Sequence, residues 1–183
     1  MFLTIAAAVI ATVSIDTGHS PNKAGARASS GAAEYDYNRR QADIVAAWLR
    51  RGGAQVRRIG WETQGDDLPR RARAATGTDL LISIHHDSVQ PRTRGGSVRG
   101  FSLFVSGRNP RYERSLRCAR IIGQALVAAG HVPNAYHALD IPGEGHMLVD
   151  ASRGVYRRDG LAVTSTGTVP TVLVEIGVIA NPA

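Results

Sequence analysis

Two stretches of this chain have the length and composition of buried strands. Leu80 to Ile84 (LLISI) and Thr171 to Val174 (TVLV) are close to unbroken apolar runs. A strand with one wet face alternates polar and apolar residues, whereas a continuous run requires cover on both faces. Thr12 to Asp16 (TVSID), Ala54 to Ile59, Gly100 to Val105 (GFSLFV) and His146 to Val149 are further strand candidates. Helix-like segments separate them. Glu34 to Arg51 carries Tyr37, Gln41, Ile44, Val45, Trp48 and Leu49 at helical spacing, and Gly52-Gly53 stops it. Asp67, Leu68 and Pro69 open a short helix, with Asp67 as its N-cap. Arg111 to Ala129 is the longest helix, with Pro110 before it and Gly130 after it. Its apolar face includes Cys118, which reads as a packed thiol rather than a nucleophile. Alternation of this kind predicts a single layered α/β domain, with a central, mostly parallel twisted sheet and helices on both faces.

Composition bounds the partners. The chain has 183 residues, enough for one domain with its own core. A single cysteine, Cys118, excludes a disulfide framework and any multi-cysteine metal site. No apolar run is long enough to span a membrane. Net charge is +7, and the segment from Arg92 to Arg120 holds eight arginines against one acid, Glu113. Such a segment suits either a solvated surface or a polyanionic partner. Aromatic residues are only 5%, which argues against a nucleic-acid surface built on base stacking. Residues 1–11 (MFLTIAAAVIA) have the length of a signal-peptide h-region but no basic residue before it. They read either as a signal peptide or as an N-terminal extension packed on the sheet, leaving 12–183 as the folded domain.

Chemistry concentrates where strands end, which is where open α/β sheets bind ligands. TVSID runs into Thr17-Gly18-His19-Ser20, LLISI into His85-His86-Asp87-Ser88, and TVLV into Glu175-Ile176-Gly177. Glu34 opens the helix that follows the loop after His19 and can face the same edge. Two imidazoles and a carboxylate make a three-ligand zinc site with one position open. A second carboxylate beside it serves as general base. Glu175, flanked by Val174 and Ile176, is a carboxylate that burial penalises unless it is paired or functional. His137 and His146 are expected to be surface or loop residues, with Glu144 or His146 as a candidate substrate contact.

Asp16-Thr17-Gly18-His19, Glu34 with Asn38, Leu68 to Arg71, Ser83-Ile84-His85 and Val174-Glu175-Ile176-Gly177 stand in the order of known family motifs. With them the chain, from Val13 to Asn181, resembles the catalytic domain of the zinc-dependent N-acetylmuramoyl-L-alanine amidases. The resemblance implies hydrolysis of the amide between N-acetylmuramic acid and L-alanine in peptidoglycan. It also implies His19, Glu34 and His85 as zinc ligands, Glu175 as the catalytic carboxylate, and a periplasmic or secreted location.

Three features depart from the family pattern. His86-Asp87 stands where the family usually has Ala-Asn, so His86 competes with His85 as ligand, and in a regular strand only one of the two faces the metal. The family usually continues past the last motif with a C-terminal helix, whereas this sequence stops at Pro182-Ala183, so that helix is either absent or cut off; without it Val172 or Val174 is expected to meet water. Five residues, Ser106 to Pro110, separate the GFSLFV strand from the long helix, too few for the site-blocking helix of some relatives. An open site that needs no activator protein is therefore expected. Two other functions fit the same fold: a non-catalytic module that binds cell wall or another polyanion, and a different zinc hydrolase.

Overall fold

A computed structural model of the protein describes residues 11–90 and 98–180. Seven strands form one sheet: β1 (Thr12–Thr17), β2 (Gln55–Ile59), β3 (Leu80–Asp87), β4 (Ser102–Val105), β5 (Met147–Asp150), β6 (Val155–Arg157) and β7 (Thr171–Val178). Their spatial order is β2-β1-β3-β7-β4-β6-β5. Pairings β1/β2, β1/β3, β3/β7 and β4/β6 are parallel, while β4/β7 and β5/β6 are antiparallel. The expected mostly parallel α/β sheet is therefore present, with its direction reversing at β4.

The continuous apolar runs lie at its centre. Leu81, Ile84, Val172 and Val174 are all buried. One face packs under the two long helices, α1 (Glu34–Arg51) and α4 (Tyr112–Ala128), through Ala42, Ala46, Leu116 and Ala119. The other face meets α3 (Leu68–Ala74) and α5 (Ala162–Ser165) through Ala72 and Val163, with Phe104, Tyr156 and Leu173 beneath them. A one-turn helix, α2 (Trp61–Gln64), follows β2. Helices thus cover both faces, but unequally. Val172 and Val174 belong to the cluster under α1 and α4. The expectation that they would meet water is corrected: the long-helix layer already covers them.

Cys118 packs against that same cluster, and burial pushes its thiol up, in keeping with a packing role. The outer side of α4 exposes Arg114, Arg117 and Arg120, which makes much of the arginine-rich segment a solvated helix face. No helix among the described residues is long and apolar enough to cross a membrane. The proposed packing of the N-terminal segment concerns Phe2, Leu3 and Ile5, which lie outside the described residues.

Candidate active site

The site forms where β1, β3 and β7 end together. The amide of Gly18 donates to the carbonyl of Ile84 at 3.0 Å, which keeps the chain beside β3 for one residue beyond β1. His19 then takes φ of 66°, the left-handed region, unusual for a residue with a Cβ. Arg71 holds it there. Its guanidinium is 1% exposed and donates from Nη2 to the carbonyl of His19, from Nη1 to that of Thr17 (both 2.9 Å), and from Nε to that of Gly65 at 2.8 Å. The α3 helix presents Arg71 because Asp67 caps it, accepting from the amide of Arg70 at 2.9 Å, with a proline in its first turn. Asp16 lies 3.7 Å from Arg71 and accepts from the Ser83 hydroxyl at 2.6 Å. Burial pushes the Asp16 carboxyl up, against the opposing pull of Ser83 and Arg71.

Glu34, the first residue of α1, spans the two imidazoles. Its Oε2 lies 3.0 Å from His19 Nε2, and its Oε1 lies 3.2 Å from His85 Nδ1. The amide of Ala26 donates to Oε2 at 3.0 Å, and Asn38 Nδ2, one turn along α1, donates to Oε1 at 3.1 Å. Burial works against ionisation of Glu34, but the bonds from His19 and His85 outweigh it and hold the carboxyl far below its ordinary value. Two glycines keep the space clear. A Cβ on Gly18 would come within 2.5 Å of the His85 ring, and one on Gly25 within 2.7 Å of His19, while also striking the Glu34 carboxylate. His19, Glu34 and His85 each offer a ligand atom, all within 4.8 Å of one another. Two nitrogens and one carboxylate oxygen are a donor set that fits zinc with one position left open.

β7 brings the second carboxylate. Glu175 pairs in register with His85 across the β3/β7 ladder, and with Ser102 on β4. Its Oε2 is buried and has no hydrogen-bond partner among the described residues. Burial, together with the negative charges of Asp87 and Glu34, pushes the Glu175 carboxyl well above its ordinary value. His19 and His85 also line a pocket of about 220 Å³, walled by Leu68, Leu161 and Val163.

The adjacent histidine is placed elsewhere. The β3/β7 register shifts between His85 and Asp87, so strict alternation fails there. The His86 ring turns to Asn38, with Nδ1 2.8 Å from Oδ1, and lies 5.6 Å from the Tyr37 ring. Since the Asn38 amide nitrogen already faces Glu34 and the carbonyl of Gly18, its oxygen faces His86, whose Nδ1 must carry the proton. His86 touches the carboxylate only through its backbone amide, which donates to Glu34 Oε1 at 3.3 Å. His137, expected to be a surface or loop residue, lies in a short turn but is 4% exposed and pairs with Asp87. Sequence reasoning missed this because the partners stand about fifty residues apart, with no periodic pattern to join them. It also gave no role to Arg71 beyond its place in a motif; the only local signal was an arginine on a short helix capped toward the site.

A sheet edge that gathers two imidazoles and two carboxylates beside an open pocket has the parts of a hydrolytic enzyme. The chain belongs to the N-acetylmuramoyl-L-alanine amidase family, whose model matches residues 13–183. Among solved structures, it is similar to the N-acetylmuramyl-L-alanine amidase Ami1 of Mycobacterium smegmatis, with 23% identity and a TM-score of 0.72, covering 94% of this chain and 84% of that one. It is similar also to the N-acetylmuramoyl-L-alanine amidase of Clostridium difficile 630, with 21% identity and a TM-score of 0.70, covering 94% and 82%. A third, the CwlD amidase of Clostridioides difficile in complex with the GerS lipoprotein, is 17% identical with a TM-score of 0.64, covering 93% and 84%. A search of curated protein sequences finds no match. By its family, the protein is a peptidoglycan amidase, cleaving the bond between N-acetylmuramic acid and L-alanine.

Proposed function

We propose that this amidase is zinc-dependent, that His19, Glu34 and His85 hold the metal, and that Glu175 is the catalytic carboxylate. The observation that carries the reading is the convergence of three ligand atoms within 4.8 Å, with Glu175 paired in register to one of them. When bound, zinc supplies Lewis-acid polarisation of the scissile carbonyl and brings the pKa of a water to about 7. The protein's own residues do the rest. Asn38 and the amide of Ala26 hold the Glu34 carboxylate in place, and Arg71 holds the His19 loop. Such supporting contacts orient metal ligands. Glu175, buried and set near the carboxylates of Asp87 and Glu34, binds a proton more tightly than an ordinary glutamate. It takes the proton of the attacking water as the water oxygen adds to the carbonyl carbon. It returns that proton to the amine nitrogen as the carbon–nitrogen bond breaks.

The enzyme acts outside the cytoplasm, where peptidoglycan lies, and works without an activator protein. In support, Ser106 to Pro110 joins β4 to α4 as a short turn with no helix in it, and the His19 side chain is 32% exposed beside the pocket. Zinc-loaded protein incubated alone with peptidoglycan should release stem peptides beginning at L-alanine, read by mass spectrometry. Products cut at another bond would refute the substrate assignment. Activity that appears only after a partner protein is added would refute self-sufficiency.

A further inference from the structure

A second group of histidine and carboxylate residues stands at the same end of the sheet, outside the site described above. His137 lies in a single 3₁₀ turn (Tyr136–Ala138), and Glu144 and His146 in the loop that leads into β5. Gly143 and Gly145, on either side of Glu144, take φ of 86° and 78°, and so allow the loop to turn its carboxylate inward. His137 Nδ1 is 2.7 Å from Glu144 Oε2, and His146 Nε2 is 3.8 Å from that same oxygen. One ligand atom from each residue lies within 4.8 Å of the others.

Three observations set this group apart from an ordinary buried hydrogen-bond pair. The far nitrogen of His137, Nε2, is 2.6 Å from Asp87 Oδ2, a carboxylate on β3 that is 6% exposed. A carboxylate behind the imidazole is the usual support of a metal-binding histidine, fixing its tautomer and aiming its other nitrogen. Second, His146 Nε2 is buried and has no hydrogen-bond partner among the described residues, although it points toward Glu144. A buried ring nitrogen left unpaired costs free energy unless something binds it. Third, aromatic rings wall the group. The Phe104 ring packs edge-on against His137 at 5.0 Å and against His146 at 6.4 Å, with Tyr156 stacked on Phe104. Arg158 adds one positive charge near His146, set against the two carboxylates of Asp87 and Glu144.

We propose that His137 Nδ1, Glu144 Oε2 and His146 Nε2 form a second metal site, for a zinc-like divalent transition ion, which clasps the segment from Tyr136 to Met147 onto β3. Two imidazoles and one carboxylate suit zinc over magnesium or calcium, which prefer all-oxygen shells. In the metal-free protein the place is filled by a proton: His137 donates from both nitrogens, to Asp87 and to Glu144. Binding the ion displaces the Nδ1 proton to solvent and leaves the Nε2 proton on its bond to Asp87. The ion then draws Glu144 and His146 together and satisfies the free nitrogen of His146. Because Asp87 follows His85 by two residues on β3, the clasp anchors the loop to the strand that carries the candidate zinc ligand.

The test is zinc stoichiometry. The full chain is stripped with chelator, dialysed, reloaded with zinc alone and weighed by native mass spectrometry, with circular dichroism as a check of folding. The wild type should bind about two zinc ions, and His146→Ala, Glu144→Gln and His19→Ala about one each. Zinc should also protect the 131–147 segment from proteolysis in wild type and in His19→Ala, but not in Glu144→Gln. Wild type with one ion, lost in His19→Ala and kept in both His146→Ala and Glu144→Gln, overturns the second site and leaves the first standing. One ion kept in His19→Ala but lost in Glu144→Gln supports the second site and refutes the first. Glu144→Gln decides the matter if His146→Ala fails to fold.

Discussion

Arg71→Lys should be among the most damaging single changes in the protein, although it keeps the charge. Arg71 is 1% exposed and donates to three backbone carbonyls, those of Thr17, His19 and Gly65. A lysine has one ammonium on a flexible stem and cannot match the planar fork. Its three protons all leave one nitrogen, whereas Arg71 reaches the carbonyls from three, so the ammonium is expected to meet the nearest carbonyl and leave two without partners. An unmet buried polar group costs about 1–3 kcal/mol. Since two of the three bonds are only partly buried, water recovers part of the loss, and about 2–4 kcal/mol remains. That is a large share of the ~5–15 kcal/mol typical of a domain. The left-handed φ of His19 adds to the damage, because Arg71 holds that residue in place. Urea unfolding of both chains should show a lower midpoint with an unchanged slope, and zinc titration should show ~10–100-fold weaker binding. An Arg71→Lys variant within about 1 kcal/mol of wild type, with equal zinc affinity, would show that the carbonyls have other partners and that Arg71 does not hold the His19 loop.

Gly18→Ala puts a Cβ within 2.5 Å of the His85 ring. The ring must move, so zinc affinity should fall ~10–100-fold while circular dichroism stays unchanged; full zinc affinity in the variant would contradict this cradle. Asp159 accepts from Arg157 Nη2 at 2.7 Å, and those bonds hold its carboxyl down at about 2, from 3.8. Its folded value is below its unfolded value, so its stabilisation is present above pH ~4 and lost as pH falls toward ~2. Asp159→Asn should therefore melt below wild type at pH 7, with the gap closing across that window. A gap that stays constant down to pH 2 would contradict the assignment.

Much of this was legible in the sequence, and the reason is local. The runs at Leu80–Ile84 and Thr171–Val174 are, apart from the partly buried Leu80, buried on both faces, so their composition alone marks them. His19 follows β1, His85 and Glu175 lie in the C-terminal parts of β3 and β7, and Glu34 opens α1; parallel topology carries these strand ends to one edge. What was not legible depends on contacts remote in sequence. The three-residue β6 is too short to show a period, and the reversal of direction at β4 is set by pairing rather than by pattern. The burial of His137 arises from Asp87, fifty residues before it. The register shift between His85 and Asp87, beside which the His86 ring faces Asn38, is likewise a property of the β3/β7 ladder.

The division of labour between ligands and base is tested most directly by Glu175→Gln. Metal content and peptidoglycan turnover should be measured on the same preparation. Zinc at the His19–Glu34–His85 site should stay bound as in wild type, while release of L-alanine-led stem peptides falls by ~10²–10⁴-fold, the usual contribution of a general base. Zinc lost in Glu175→Gln, or turnover within about tenfold of wild type, would contradict that division.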